Sequence, residues 1–253
     1  MSAHKSQSWV MWYLSAGFAF MILLSWVAEL TDLSHLLPSM PKTMRHNLPT
    51  KIDRKEFFNK AASSWDKQYS GKDLAEFLQK LVSKFNLARG QKILDVGTGT
   101  GILIPHLVQS VGGSGLIVAV DFAEKMIDVC RKKYSNLLNV KFVVQNVEEL
   151  DFPPDYFDAI TCFGLFPHIE NKQKALFKMN HVLKPKGKLI IAHTLSSNEI
   201  REHHHSSSSI VANDAMPTKE EMIHLLKNAG FDIDHFEDKS GCYLCLATKK
   251  LDL

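Results

Sequence analysis

Ile93-Leu94-Asp95-Val96-Gly97-Thr98-Gly99-Thr100-Gly101 joins an apolar run to an acid, then sets a glycine at every second position before an apolar, helix-like pattern begins. It reads as a strand feeding a tight turn in which a ligand lies against bare backbone. A dinucleotide fingerprint needs a glycine or alanine three residues after its second glycine, to pack helix on strand. Counting from either pair of glycines, that position is Ile102 or Ile104. A phosphate-cradling loop needs a Gly-Lys-Ser/Thr ending, and Ile102 follows Gly101. The acid before the first glycine argues against an anionic ligand and for one bearing an ammonium group.

Outward from this turn the pattern repeats. Residues 116–121 form a second short apolar strand ending in Asp121, about twenty residues past the turn, where an acid accepts from ribose hydroxyls. The other reading of Asp121 is an N-cap for the helix starting near Ala123. Residues 141–146, 156–162 and 188–193 read as three more strands, the last after a Lys184-Pro185-Lys186-Gly187 turn. Strands alternating with helical stretches predict an α/β fold with a parallel sheet covered on both faces. Residues 53–69 and 72–86 have helical spacing, 218–230 predicts an amphipathic helix, and 231–236 and 242–248 two final strands.

Four pieces in this order, ILDVGTGTG (93–101), VDFAEKMI (120–127), EELDFPPDYFDAI (148–160) and HVLKPKGKLIIAH (181–193), resemble the class I S-adenosylmethionine-dependent methyltransferases, the quinone-biosynthesis and small-molecule branch above all. FFNKAASSWD (57–66) is similar to the helix that caps the cofactor in that group, and the resemblance covers residues 53–249. It implies a Rossmann-like seven-stranded sheet, mostly parallel with the last strand antiparallel, and S-adenosyl-L-methionine as cofactor. Ligands of such sheets sit beyond the carboxyl ends of the strands, which gathers Asp95, Gly97, Gly99, Asp121, Asn146 and Cys162–Phe163 around one cavity. By resemblance Gly97 and Gly99, with Thr98 and Gly101 of the same turn, approach the methionine part and Asp95 holds its amino end. Asp121 takes the ribose, and Phe122 and Met126 pack near the adenine. Asn146-Val147 stands where the family commonly has Asp-Ala. Asn146 can still accept from the adenine amino group through its side-chain oxygen, or it is simply a strand-end turn residue.

Histidines form the other constellation. His168 follows the fourth strand and His193 ends the fifth, both at the catalytic end of the sheet; His203-His204-His205 lies ten residues on, in a serine-rich stretch. Three readings stand: His168 or His193 as an acceptor-side base; a metal site from His193, one of His203–His205 and Asp214; or a solvated loop with a hydrogen-bonded strand-end histidine. The length of 195–217 suggests a lid or acceptor-binding element. Phe57, Phe58 and Trp65 are either packing residues or a lid over the cofactor.

The N-terminal part differs. Residues 9–28 carry no charge and are mostly large and apolar, with Trp9, Trp12, Tyr13 and Trp26 near the ends. Such a stretch is about 30 Å as a helix, a hydrocarbon core's thickness. A single transmembrane helix is the expectation; a signal or targeting segment and a buried helix are the alternatives. The division expected is 1–30 with the span, a proline-bearing linker at 31–50, and a methyltransferase domain at 51–253. Lys42, Arg45, Lys51, Arg54 and Lys55 follow the span, against Lys5 before it, which leans the domain toward the positive inner side. A net charge of +3 with no basic stripe gives no footprint for nucleic acid. Cys130, Cys162, Cys242 and Cys245 form no disulfide framework, which favours a reducing compartment; Cys242 and Cys245 point to opposite faces of a strand and read as packing. The function expected is methylation of a small lipophilic acceptor at a membrane. A non-catalytic subunit of a membrane complex, keeping the fold without the activity, is the rival.

Overall fold

A computed structural model describes residues 54–69, 72–205 and 210–251. The expected membrane span at 9–28 and the linker at 31–50 lie outside the described residues; among the described residues no helix is long and apolar enough to cross a membrane. Asp53–Leu253 clusters as one compact unit.

The apolar runs become strands because a parallel sheet buries both faces and selects continuous hydrophobics. β1 (Lys92–Val96), β2 (Leu116–Asp121), β3 (Val140–Val144), β4 (Phe157–Phe163), β5 (Leu183–His193), β6 (Phe231–Lys239) and β7 (Cys242–Lys249) form one seven-stranded sheet in the order β3-β2-β1-β4-β5-β7-β6. β1 to β5 pair in parallel, and β7 runs antiparallel between β5 and β6. The chain winds outward from β1 to β3, then returns to β4 on the other side of β1. That reversal opens a crevice beyond the carboxyl ends of β1 and β4. Register brings the acids there: Asp95 lies between Ala119 of β2 and Thr161 of β4, and Asp121 ends β2.

The helices are α1 (Arg54–Ala61), α2 (Lys72–Ser83), α3 (Ile104–Val111), α4 (Glu124–Tyr134), α5 (Lys172–Val182), α6 (Ser197–His205) and α7 (Lys219–Asn228), with a 3-10 turn at Trp65–Tyr69. Alternation splits the core between the sheet's two faces. Leu94, Val96 and Ile160 pack with Leu176 and Met179 of α5 and Met222 and Leu226 of α7. Ile93, Ile117 and Ala159 pack with Leu78, Leu81 and Val82 of α2 and Leu107 of α3. Cys245 joins the first cluster and Cys242 the second, as odd spacing on a strand requires. A smaller cluster joins Phe58 and Ala62 to Ala123, Met126 and Val211, setting α1 beside the start of α4.

Two local expectations need correction. The Lys184–Gly187 stretch is no turn before β5 but a bulge inside it. Leu183 pairs with Phe157 and Lys188 with Ala159, so the residues between are looped out, with Lys186 at φ 63°. The stretch holding His203–His205 is not a solvated loop but the end of α6. Its start carries a reciprocal cap: Glu199 N donates to Ser196 Oγ at 3.2 Å while Glu199 Oε2 accepts from Ser196 N at 2.8 Å.

Candidate active site

The glycine turn folds back over the end of β2. Thr98 N donates to Val120 O and Gly99 N to Asp121 Oδ2, both at 2.9 Å. Gly97 and Gly99 take φ of 67° and 55°, a left-handed region costly to other residues. A Cβ at Gly97 would lie 2.6 Å from Leu165 Cβ, so only bare backbone fits between the turn and the β4 loop. At Gly99 a Cβ would meet Trp65 Nε1 at 3.7 Å, an ordinary contact, in a space that both residues line. That space belongs to a cavity of about 380 Å³, within the roughly 300–1,000 Å³ of small-molecule sites.

Asp95, Gly97, Thr98, Gly99, Asp121, Phe122, Met126, Asn146, Val147, Phe163 and His168 all lie on its wall. Gly101 does not: a Cβ there would lie 2.7 Å from Cys130 Sγ and from the Tyr134 ring, so its task is to seat the turn on α4. His193 is also absent from the wall. Its Nδ1 accepts from Leu195 N at 3.0 Å, and burial, then the nearby His168, His204 and His203, pull its pKa down to about 4. A neutral ring accepting at Nδ1 carries its proton on Nε2, so His193 presents a donor where a base was expected.

Two carboxyls dominate the electrostatics. Burial raises Asp95 to about 6 against a 2.6 Å bond from Thr161 Oγ1, and raises Asp121 to about 6 against backbone donors. Asp121 Oδ1 accepts from Ala123 N at 2.9 Å and Oδ2 from Gly99 N, so it braces the helix entry as well as the turn. Each oxygen keeps a second lone pair, enough for two vicinal hydroxyls. Asn146 Oδ1 accepts from Glu148 N at 3.0 Å as the cap of a 3-10 turn, which shares its oxygen with any ligand. The neighbouring Gln145 Oε1 is buried on the cavity wall without a hydrogen-bond partner among the described residues, as is Thr98 Oγ1. An adenosyl sulfonium bearing an ammonium group fits this donor set: cationic ends for Asp95, a ribose for Asp121 and an exocyclic amine for Gln145.

Sequence reasoning missed Gln145, Arg54 and the partner of His168. Arg54 forks onto both oxygens of Asp214, Nη1 to Oδ2 at 2.7 Å and Nη2 to Oδ1 at 2.5 Å, while His168 Nδ1 meets Asp214 Oδ2 at 2.6 Å. Burial pushes Asp214 up, but the bonds from Arg54 and His168 prevail and hold its carboxyl at about 2. His204 is buried and its Nδ1 reaches the Asp214 carbonyl at 2.6 Å. Among the described residues no group of three His, Cys, Asp or Glu side chains could hold a metal ion, so the metal reading of the histidines gains no support. Residues 54, 168 and 214 carry no local signal of their partnership; only the fold makes them neighbours.

A family model described as a methyltransferase domain matches residues 93–187. The ubiquinone/menaquinone biosynthesis C-methyltransferase UbiE of Vibrio parahaemolyticus is 43% identical over 105 residues, 40% of each chain. Residues 93–187 carry a methyltransferase domain. S-adenosylmethionine, the cofactor that this domain and these relatives imply, is the ligand that the cavity's residues fit. UbiE of Cronobacter sakazakii is 37% identical over 146 residues, 54% of this chain and 57% of that one. The chain thus spans between about two fifths and three fifths of those relatives' length. Among solved structures, a SAM-dependent methyltransferase from Aquifex aeolicus has a TM-score of 0.62 at 23% identity, covering 74% of this chain and 97% of that one. The cyclase SpnF has a TM-score of 0.60 at 18% identity, covering 72% and 83%. Likeness at that identity speaks for the fold alone.

Proposed function

We propose that the protein transfers a methyl group from S-adenosylmethionine to a small, lipophilic acceptor of the quinone-precursor kind at a membrane. The carrying observation is the pairing of a bare glycine turn with two buried carboxyls, Asp95 and Asp121, that face a cavity and form no ion pair among the described residues. An accessory subunit has no need of such a pair, since buried acids cost stability.

When bound, the cofactor supplies a methyl already activated on sulfur. The protein's share is alignment and exclusion of water. Gly97 and Gly99 let the ligand approach the backbone, Asp121 sets the ribose, and Phe122, Met126 and Val147 enclose the base. Phe58, Trp65, Phe163, Leu165 and Ile169 add an apolar part to a wall that also holds Arg54, Asp66 and Glu170, and that apolar part suits a greasy ring. His168, on that wall, is the acceptor-side base. The names of the similar Vibrio and Cronobacter proteins point to quinone rings. An apolar stretch at 9–28 would tether the domain where such rings dissolve, on a reducing side of the membrane that holds the cofactor.

The test is turnover by the full chain on fractionated membrane lipid extract, read by mass spectrometry. A lipid fraction should gain the mass of one CH2. Gly99→Arg, which drives a charged side chain into the cavity, should lower cofactor affinity by roughly 100-fold or more, as loss of the binding volume implies. A gain confined to a water-soluble extract would overturn the lipophilic acceptor.

A further inference from the structure

We propose that Asp214 is a positioning residue that fixes His168 as a base with a bare Nε2, and that the acceptor is accordingly one that gives up a proton: a hydroxyl, a thiol or an enolic ring carbon. The inference rests on the methyltransferase reading above and narrows its acceptor.

The geometry runs from three distant parts of the chain. Asp214 Oδ2 receives both Arg54 Nη1 and His168 Nδ1, at 2.7 and 2.6 Å, and Oδ1 receives Arg54 Nη2. An ionised carboxylate can only accept, so a neutral His168 must carry its hydrogen on Nδ1, and its lone pair is left on Nε2. Arg54 prevents the carboxylate from turning away, and also reaches the His168 carbonyl at 3.4 Å and Glu170 Oε1 at 3.4 Å. The Asp214 backbone is held in turn, since its carbonyl accepts from His204 Nδ1. The His168 ring is fixed between Phe58 and His204, with centroids at 5.6 and 5.0 Å. A carboxylate behind an imidazole that lines a substrate cavity orients the ring and stabilises it once protonated.

The charge balance favours this arrangement. As the acceptor X–H proton passes to His168 Nε2, the electron pair of X forms a bond to the methyl carbon. The carbon–sulfur bond breaks and its pair stays on sulfur. One positive charge leaves the sulfonium and one appears on the imidazolium, directly against the Asp214 carboxylate, which stays ionised down to about 2. An acceptor without a proton to lose would make no use of this unit.

The test uses the full chain with 15N-labelled histidine. Long-range imidazole spectra at alkaline pH should show His168 protonated on Nδ1 in the wild type, and Asp214→Asn should remove that preference. S-adenosylmethionine binding by calorimetry should stay within a few-fold in Asp214→Asn and His168→Gln. Release of S-adenosylhomocysteine with two probes, a naphthohydroquinone and thiophenol, should fall by roughly 100-fold or more in His168→Gln and recover in part in Asp214→Glu relative to Asp214→Asn. A wild-type His168 protonated on Nε2, or an Asp214→Asn chain at wild-type rate with only a lowered melting point, would overturn the positioning role. Turnover of neither probe by a wild type that binds the cofactor would overturn the proton-giving acceptor. Failure of the wild type to bind the cofactor would instead strike the methyltransferase reading and leave the tautomer result standing.

Discussion

Asp95 shows how one residue trades stability for binding. The strand register shuts it from water, 2% exposed, with Thr161 as its side-chain donor. Its carboxyl is raised by burial from 3.8 to about 6. Below about pH 4 both folded and unfolded states hold the proton, and nothing is lost. Between about 4 and 6 the folded state keeps a proton that the unfolded chain releases, so stability falls as pH rises. Above about 6 the buried charge costs roughly 3 kcal/mol at most, at 1.36 kcal/mol per unit. Asp95→Asn should therefore stabilise the ligand-free chain by about 1–3 kcal/mol near neutral pH and leave it unchanged near pH 4. The same change should weaken cofactor binding at least about tenfold, through the lost charge. Melting curves at the two pH values, with calorimetry at the higher, check both signs. Asp95 and Asp121 were legible as residues of the cavity wall because each stands at or beside the end of an apolar strand, at the carboxyl edge of the sheet. Gln145 was not, since its oxygen, without a partner among the described residues, reaches the wall only once β3 ends beside the cavity.

At the scale of elements, α1 is a cover held from outside the sheet. Lys55 and Glu124 form an ion pair; Asn59 bonds Glu124 Oε2 at 3.2 Å and Lys125 N at 2.9 Å. Beyond it, Asp66 accepts from Thr100 Oγ1 at 2.5 Å and Lys133 Nζ at 2.9 Å, latching the 3-10 turn to the glycine loop. The centre is Phe58, with ring contacts to Phe57, Trp65, Phe122 and His168. Phe58→Ala should cost about 3 kcal/mol, spent locally because its cluster is separate from the two sheet cores. Hydrogen exchange should quicken in α1 and cofactor affinity fall, while the sheet's exchange stays put; an equal loss across the sheet would refute the view of α1 as a cover. The sequence marks this helix and α7 by their spacing; the reciprocal caps of α7 and α6, Thr218 with Glu221 and Ser196 with Glu199, are local signals as well. The β5 bulge was not open to reading, because Pro185 and Gly187 serve a turn as well as they serve a strand irregularity.

Across the whole molecule, the sheet is closed by contacts between distant segments. Lys249, at the end of β7, is buried and gives Nζ to Asp155 Oδ1 and to the Leu183 carbonyl, both at 2.8 Å. It thereby ties the last strand to the approach to β4 and the start of β5. Lys249→Ala leaves the Leu183 carbonyl without this donor and should cost about 2 kcal/mol. Because one sheet carries both cores, circular dichroism and hydrogen exchange in β1 and β7 should report the same loss of stability; separate transitions for the two faces would refute that coupling.

The order of the strands and of every helix but α6, the glycine turn and the acids beside it were determined by the sequence alone, because hydrophobic period and glycine spacing are local and survive without any contact. The acceptor side was decided by tertiary structure. Arg54, His168 and Asp214 stand 46 to 160 positions apart, and a hydrogen bond across such a gap leaves no trace in spacing. Which nitrogen of His168 or His193 is bare depends on a partner at 2.6 or 3.0 Å, and only the folded chain supplies it.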